Sequence, residues 1–176
     1  KGLKVVVNQN GVAFPAWDGG NYEASNRSLK RMISFADFIV YQSQFCKDSA
    51  ERYISPPDVP SEIVYNPVDT RLFSPEACQP RPDALTLLLG GNQYEKYRLE
   101  LALQTLNALH RDIPNAKLIV TGMLWLPRDE AEEWTRQALH DMNLTEHVTF
   151  TGMYTQADAP ALYSQAHLLL HTKYAD

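Results

Sequence analysis

Cysteine, clustered basic residues and long apolar stretches are what this 176-residue chain has least of. Its two cysteines, Cys46 and Cys78, cannot build a disulfide framework, and neither stands in a C-x-x-C metal or redox spacing. That usage fits a reducing, cytoplasmic compartment. No apolar run approaches the roughly 20 residues of a bilayer-spanning helix. Basic residues cluster only at Lys30-Arg31 and Lys96-Tyr97-Arg98, against a net charge of -5, so no nucleic-acid partner is expected. Three glycine fingerprints are missing as well: G-x-G-x-x-G after a strand, G-x-x-x-x-G-K-[ST] and G-x-S-x-G. Without them a dinucleotide dehydrogenase, a P-loop enzyme and an α/β-hydrolase lose their main support. The histidines, His110, His140, His147, His167 and His171, make no metal-ligand spacing with one another on one helix. There is neither an initiating methionine nor a signal-peptide pattern before the first strand.

What is present is an ordinary globular composition, 44% hydrophobic and 21% charged, in a length that suits one medium or two small domains. Lys4 to Asn8 reads as a strand meeting the turn signal Asn10-Gly11, and a helix is expected within Asn21 to Phe35. Asp37 to Ser43 reads as a second strand whose serine caps a helix from Gln44 to Tyr53, and Glu62 to Tyr65 as a third strand. The proline-rich segment from Phe73 to Asp83 marks a domain boundary, giving domains of residues 1–75 and 76–176. Beyond it Leu85 to Gly90, Lys117 to Gly122 and His147 to Gly152 are short apolar runs that each end on glycine. Helical patterns separate them, Glu95 to Arg111 and then Arg128 to Met142, and a further helix is expected from Thr155 through a Thr-x-x-Asp capping box with Asp158. This alternation predicts an α/β fold with parallel sheets and right-handed crossovers, and strands apolar on both faces agree with it.

In such a sheet ligands bind where the strands end. The exits here are Gly90-Gly91-Asn92, Gly122-Met123 and Gly152-Met153-Tyr154. Glycine there lets backbone approach a ligand or take positive φ, and the helix beginning near Glu95 offers N–H groups to an anion. Lys96 and Arg98 in its first turn suit a diphosphate; equally, such glycines serve turns and such a lysine is solvated. His171 faces a site or stands in its wall. Asp129, Glu130, Glu132 and Glu133 complement the dipole at a helix start, and Trp125, Trp134, Met123, Met142 and Met153 read as packing groups.

Glu62 to Pro75, EIVYNPVDTRLFSP, contains Asn66, Val68, Asp69 and Phe73 in an N-x-V-D-x-x-x-F pattern. It resembles the interdomain linker of the retaining, nucleotide-sugar-dependent glycosyltransferases of family 4, which have the GT-B fold. Ala36 to Phe45 is similar to that family's A-D-x-x-I-x-x-S-x-F segment, and Lys117 to Gly122 to its L-x-I-V-G strand. Leu144 to Gly152 resembles its L-x-x-x-V-x-F-x-G unit and Leu162 to Ala166 its L-Y-x-x-A helix end. The resemblance implies two Rossmann-like parallel-sheet lobes, both incomplete here: the end of an acceptor domain and the first half of a donor domain. It implies transfer of a hexose from a nucleoside diphosphate sugar to the hydroxyl of a sugar, lipid or small-molecule acceptor, with retained configuration and without a metal or other cofactor. Gly90, Gly91 and Asn92 would then meet the diphosphate, Gly122 and Met123 the nucleoside, and Met153 and Tyr154 the base.

The chain departs from the family where it has G-R and, about five residues on, K-G: Asn92 stands at the arginine position and Tyr97 at the lysine position. Lys96 and Arg98 flank that slot and are the candidates to replace them. Asn10 is the candidate for the place of a family histidine near the reacting sugar, and Pro67 follows Asn66 where glycine is usual. The family's glutamate-bearing helix lies beyond Asp176, so we expect an internal piece, inactive alone, of an enzyme roughly twice as long. A non-catalytic interaction module derived from the same framework is the rival reading, and a sugar-phosphate epimerase or another Rossmann enzyme ranks third. Peripheral membrane contact of the whole enzyme stays open, although no basic amphipathic helix argues for it.

Overall fold

The computed structural model describes residues 2–18, 20–75 and 81–173. Cys78 and the middle of the Pro-rich segment lie outside the described residues. The chain forms two compact units that divide between Val68 and Asp69.

The first unit is a parallel sheet of β1 (Val6–Gln9), β2 (Phe38–Tyr41) and β3 (Ser61–Ile63), in that spatial order. The short α1 (Pro15–Asp18) and the longer α2 (Tyr22–Ile33) link β1 to β2, and α3 (Gln44–Tyr53) links β2 to β3. Asn26 and Ile33 are the buried residues of α2, with Leu29 between them on the same face. Leu29 and Ile33 pack in one cluster with Val7, Ile39, Tyr41, Ala50 and Ile54. The helix expected after Ser43 begins there: its Oγ accepts the Cys46 N–H at 3.1 Å. It stops at Tyr53, after which Ser55 takes a φ of 50° and Pro56-Pro57 forbids another turn. The strand boundaries differ from expectation by one or two residues, the second strand running only from Phe38 to Tyr41. The first strand starts at Val6 and the third ends at Ile63, because ladder pairing with Phe38–Tyr41 sets the ends where local apolarity does not.

The Asn66-Pro67-Val68-Asp69 stretch owes part of its pattern to a turn. Asp69 Oδ1 accepts the N–H groups of Arg71 (2.9 Å) and Leu72 (3.3 Å), and its carbonyl accepts that of Phe73 (2.9 Å).

The second unit carries β4 (Thr86–Leu89), α4 (Lys96–Leu109), β5 (Lys117–Thr121), α5 (Arg128–Asp141), β6 (Val148–Gly152), α6 (Ala159–Ser164) and β7 (Leu168–Leu170). All pairings are parallel, in the order β6-β5-β4-β7. Every residue of β4 is buried, and in β5 Leu118, Ile119, Val120 and Thr121 are, so the central strands are covered on both faces as their uninterrupted apolarity predicts. Leu99, Leu103 and Leu106 of α4 lie fully buried against them, each worth about 2 kcal/mol of burial. Trp125 and Trp134 meet edge to face at 5.5 Å on the flank of this core, the packing role expected of them.

The last helix begins later than expected. The Thr155–Asp158 pair forms, with Asp158 Oδ2 accepting the Thr155 N–H (2.9 Å) and hydroxyl (2.6 Å), but it closes a turn ahead of α6. A helix capped by Thr155 would need the N–H of residue 160 to bond the carbonyl of Gln156, and residue 160 is proline. Proline is accepted only in a helix's first turn, where α6 has it.

Strand order steps from β4 to β5 to β6 and then returns to the other edge of β4 for β7, so the reversal lies at β4. The carboxyl end of β4 is therefore where a ligand crevice is expected on topology alone.

Candidate functional site

The loops leaving β4, β5 and β6 are bonded into one cluster. After β4, Gly91 takes a φ of 73° and turns the chain so that Asn92 reaches β5's exit. Asn92 Oδ1 accepts the Met123 N–H at 2.9 Å, and its Nδ2 donates to the Tyr94 hydroxyl at 2.7 Å. The Gln93 N–H donates to the Met123 carbonyl at 2.7 Å, and Gln93 bridges in parallel to Leu124. After β5, Gly122 takes a φ of 77° and donates its N–H to the Gly152 carbonyl of β6 at 2.7 Å. A β-bulge between Val120 and Thr121 shifts the register there, so that Thr121 pairs with Gly152.

Glycine at 122 is a packing requirement. A Cβ on it would sit 2.5 Å from the Gly91 carbonyl oxygen and 2.6 Å from Asn92 Oδ1. Gly90 has a methyl-sized gap on the other side, bounded by Leu169 and by the Tyr163 hydroxyl 3.7 Å away. Tyr163 is hydrogen-bonded to Tyr154; burial first, and that neighbour second, hold its phenol above the ordinary value of 10.0. Tyr154 thus joins the Gly90 corner of the cluster, whereas Met153 beside it is 63% exposed and is not the packing group expected from its sequence context.

The two cations expected to face a diphosphate are differently engaged. The Arg98 guanidinium turns back onto its own loop: Nη1 donates to the Asn92 carbonyl and Nη2 to the Gly90 carbonyl, the latter at 3.3 Å. Lys96 is exposed at the start of α4, with Nζ over the Trp134 ring at 4.5 Å. Glu95, in the N-cap position, makes no side-chain capping bond, so it does not answer the helix's first N–H groups.

Gly90, Gly91, Asn92, Gly122, Met123 and Tyr154 are therefore brought together, with Lys96 and Arg98 on the adjoining helix. Asn10 belongs to the other unit. It is exposed just past β1, and its carbonyl accepts the Cys46 thiol at 3.0 Å. The segment around it is held from below by Gln9, whose Nε2 donates to the Gly11 carbonyl at 2.6 Å, and by Asn26, which bonds both the N–H and the carbonyl of Ala13. His171 is exposed just past β7. His167 accepts the Thr86 N–H through Nδ1 at 3.1 Å, a wall role rather than a ligand's.

Sequence reasoning missed Gln93, Thr121 and Asn26. Gln93 is fully buried and Thr121 1% exposed, and both bond loop carbonyls at the exits of β4 and β5. A single glutamine after Gly-Gly-Asn carries no local signal of burial; only the meeting of two strand exits creates it.

Among the described residues no group of three or more His, Cys, Asp and Glu side chains is placed to hold a metal, and no helix is long and apolar enough to cross a membrane.

No protein-family model matches the chain, and no curated protein matches it. Solved structures do. HepE of Anabaena in complex with UDP-glucose superposes with a TM-score of 0.76 at 16% identity, over 98% of this chain and 47% of that one. A variant of S. aureus TarM, in complex with Fondaparinux, alpha-GlcNAc-glycerol and UDP, gives 0.60 at 13% identity, over 93% and 30%. Sucrose-phosphate synthase of Thermosynechococcus elongatus gives 0.59 at 21% identity, over 84% and 37%. The chain spans about half or less of the length of these proteins. At such identities the likeness establishes the fold, two Rossmann-like α/β units of the GT-B type.

Proposed function

We propose that the chain is part of a glycosyltransferase that moves a hexose from a nucleoside diphosphate sugar to an acceptor hydroxyl, with retained configuration, as in family 4. The observation that carries the reading is the bonded cluster of three glycine-bearing strand exits at the point where the sheet order reverses. The UDP-glucose and UDP held by structures of the same fold agree with it. Residues 1–75 belong to the acceptor domain on this reading and residues 76–176 to the donor domain.

The chemical demand is to stabilise a departing diphosphate. The positive end of α4, the backbone of Gly90, Gly91 and Asn92, and the ammonium of Lys96 meet it electrostatically, and no metal is invoked. Arg98 contributes from the same helix turn. Gly122 and Met123 take the nucleoside, Met153 and Tyr154 the base, and Asn10 stands near the reacting sugar. The acceptor is a sugar, a lipid or a small molecule.

The test uses the full-length protein with a panel of nucleoside diphosphate hexoses, following nucleoside diphosphate release and the anomeric configuration of the product. Lys96→Ala should lower turnover at least about tenfold, the scale of one lost charge-assisted contact. A panel that gives neither binding nor release would sink the proposal.

One observation favours a second reading, a non-catalytic interaction module: Arg98 and Lys96 are both engaged by the protein itself, on loop carbonyls and on Trp134. Nucleoside diphosphate binding that depends on Lys96 decides for the enzyme.

A further inference from the structure

The loop after β4 is hydrogen-bonded on one side only. Its consecutive carbonyls are all occupied: Gly90 O by Arg98 Nη2 (3.3 Å) and Gln93 Nε2 (3.3 Å), Gly91 O by Gln93 Nε2 (2.7 Å) and the Thr121 hydroxyl (3.4 Å), Asn92 O by Arg98 Nη1. The N–H groups of Gly91 and Asn92, in contrast, donate to nothing among the described residues. Successive amides of that kind, with Gly91 in the left-handed region at φ 73°, form a concave donor surface for an anion.

The donors beneath are themselves committed. Both terminal nitrogens of Arg98 are spent on carbonyls, and its Nε is buried without a partner. Gln93 is fully buried, and its Oε1 has no hydrogen-bond partner. A guanidinium used this way faces carbonyls; its planar fork suits two acceptors in fixed relation better than an ammonium would.

We infer that Arg98 and Gln93 are positioning residues for the diphosphate of the donor: they pull the carbonyls of Gly90, Gly91 and Asn92 inward and so present the Gly91 and Asn92 amides to the anion. The inference rests on the proposed donor site and deepens it. It also reassigns Arg98, whose charge serves the loop's shape and not the leaving group directly. Gln93 has no charge at all, which separates positioning from electrostatics.

The experiment is a titration of the full-length protein with inorganic pyrophosphate and with UDP, followed by amide chemical shifts, on the native protein and on Arg98→Lys and Gln93→Leu. Native Gly91 and Asn92 amides should shift on pyrophosphate binding. Both variants should already show displaced and faster-exchanging Gly91 and Asn92 amides before ligand is added, and should bind pyrophosphate about tenfold more weakly, the scale of lost hydrogen bonds. The pattern of core amides in Leu99–Leu106 and Leu118–Val120 reports that each variant is folded. If Arg98→Lys binds normally, or if Gln93→Leu leaves the Gly91 and Asn92 amides and the affinity unchanged, the positioning role is overturned while the donor site stands. If the native full-length protein binds neither UDP nor pyrophosphate, both fall.

Discussion

The side-chain oxygen of Asn92 accepts the backbone N–H of Met123 at 2.9 Å, so a residue leaving β4 fixes the residue leaving β5. Here the amide serves as a clip between two loops: its other end reaches the Tyr94 hydroxyl at 2.7 Å, and a side chain at Gly122 would collide with it.

That clip makes the two neighbouring glycines unequal. Gly122→Ala combines a left-handed φ with a Cβ inside contact distance of Gly91 O and Asn92 Oδ1 and should cost about 2–4 kcal/mol. Gly91→Ala has a similar φ but open space around its Cβ and should cost about 1–2 kcal/mol. Urea unfolding of the two variants checks the order; equal costs would mean that strain alone matters.

Asn26 is 4% exposed and bonds Ala13 through both amide atoms, Oδ1 from the N–H at 2.8 Å and Nδ2 to the carbonyl at 2.7 Å. Asn26→Leu keeps the volume and abandons two buried backbone groups, so we expect a loss of about 2–4 kcal/mol. Asp cannot donate to the Ala13 carbonyl and should not rescue the site. The denaturation midpoint of the first unit is the readout.

Ser43→Ala removes the oxygen that receives the Cys46 N–H at the start of α3. The expected cost is about 1 kcal/mol, with Ser43→Asp close to native because an aspartate also caps. Loss of helical signal at 222 nm on mild heating would appear in the alanine variant first.

Two aspartates, half-buried Asp37 and exposed Asp158, are expected to contribute to an acid limb of stability. The hydrogen bond from Lys4, then that from the Val5 N–H, hold Asp37 below the ordinary 3.8; the Thr155 hydroxyl and then its N–H do the same for Asp158. A carboxyl whose folded value is depressed contributes stability that is present above the unfolded value and is lost as pH falls through the folded one. Asp37→Asn and Asp158→Asn should each lower stability slightly at neutral pH and flatten its decline below about pH 4. A decline as steep as that of the native chain in both variants would assign the acid limb to other carboxyls.

The elements were legible because their signals are local. Ser43 before Gln44 fits a cap, and Leu99, Leu103 and Leu106 fall on one helical face. The apolar runs ending at Gly90 and Gly122 announced buried parallel strands and their exits, whereas the run ending at Gly152 forms an edge strand that is mostly exposed. Where two local signals competed, as Thr155-x-x-Asp158 did with Pro160, the proline decided because a missing N–H cannot be compensated inside a helix.

What the sequence determined by itself was the alternation of strands and helices, hence parallel sheets, and the identity of the glycines at strand ends. What only the tertiary structure decided was which polar side chains serve those ends. Arg98 reads as an open cation until its guanidinium is seen on the Gly90 and Asn92 carbonyls, and Gln93 reads as a surface residue until β4 and β5 close over it. Periodicity depends on neighbours within a turn or a strand, whereas a hydrogen-bond partner 28 residues away, as Thr121 is to Gln93, exists only once the sheet has formed.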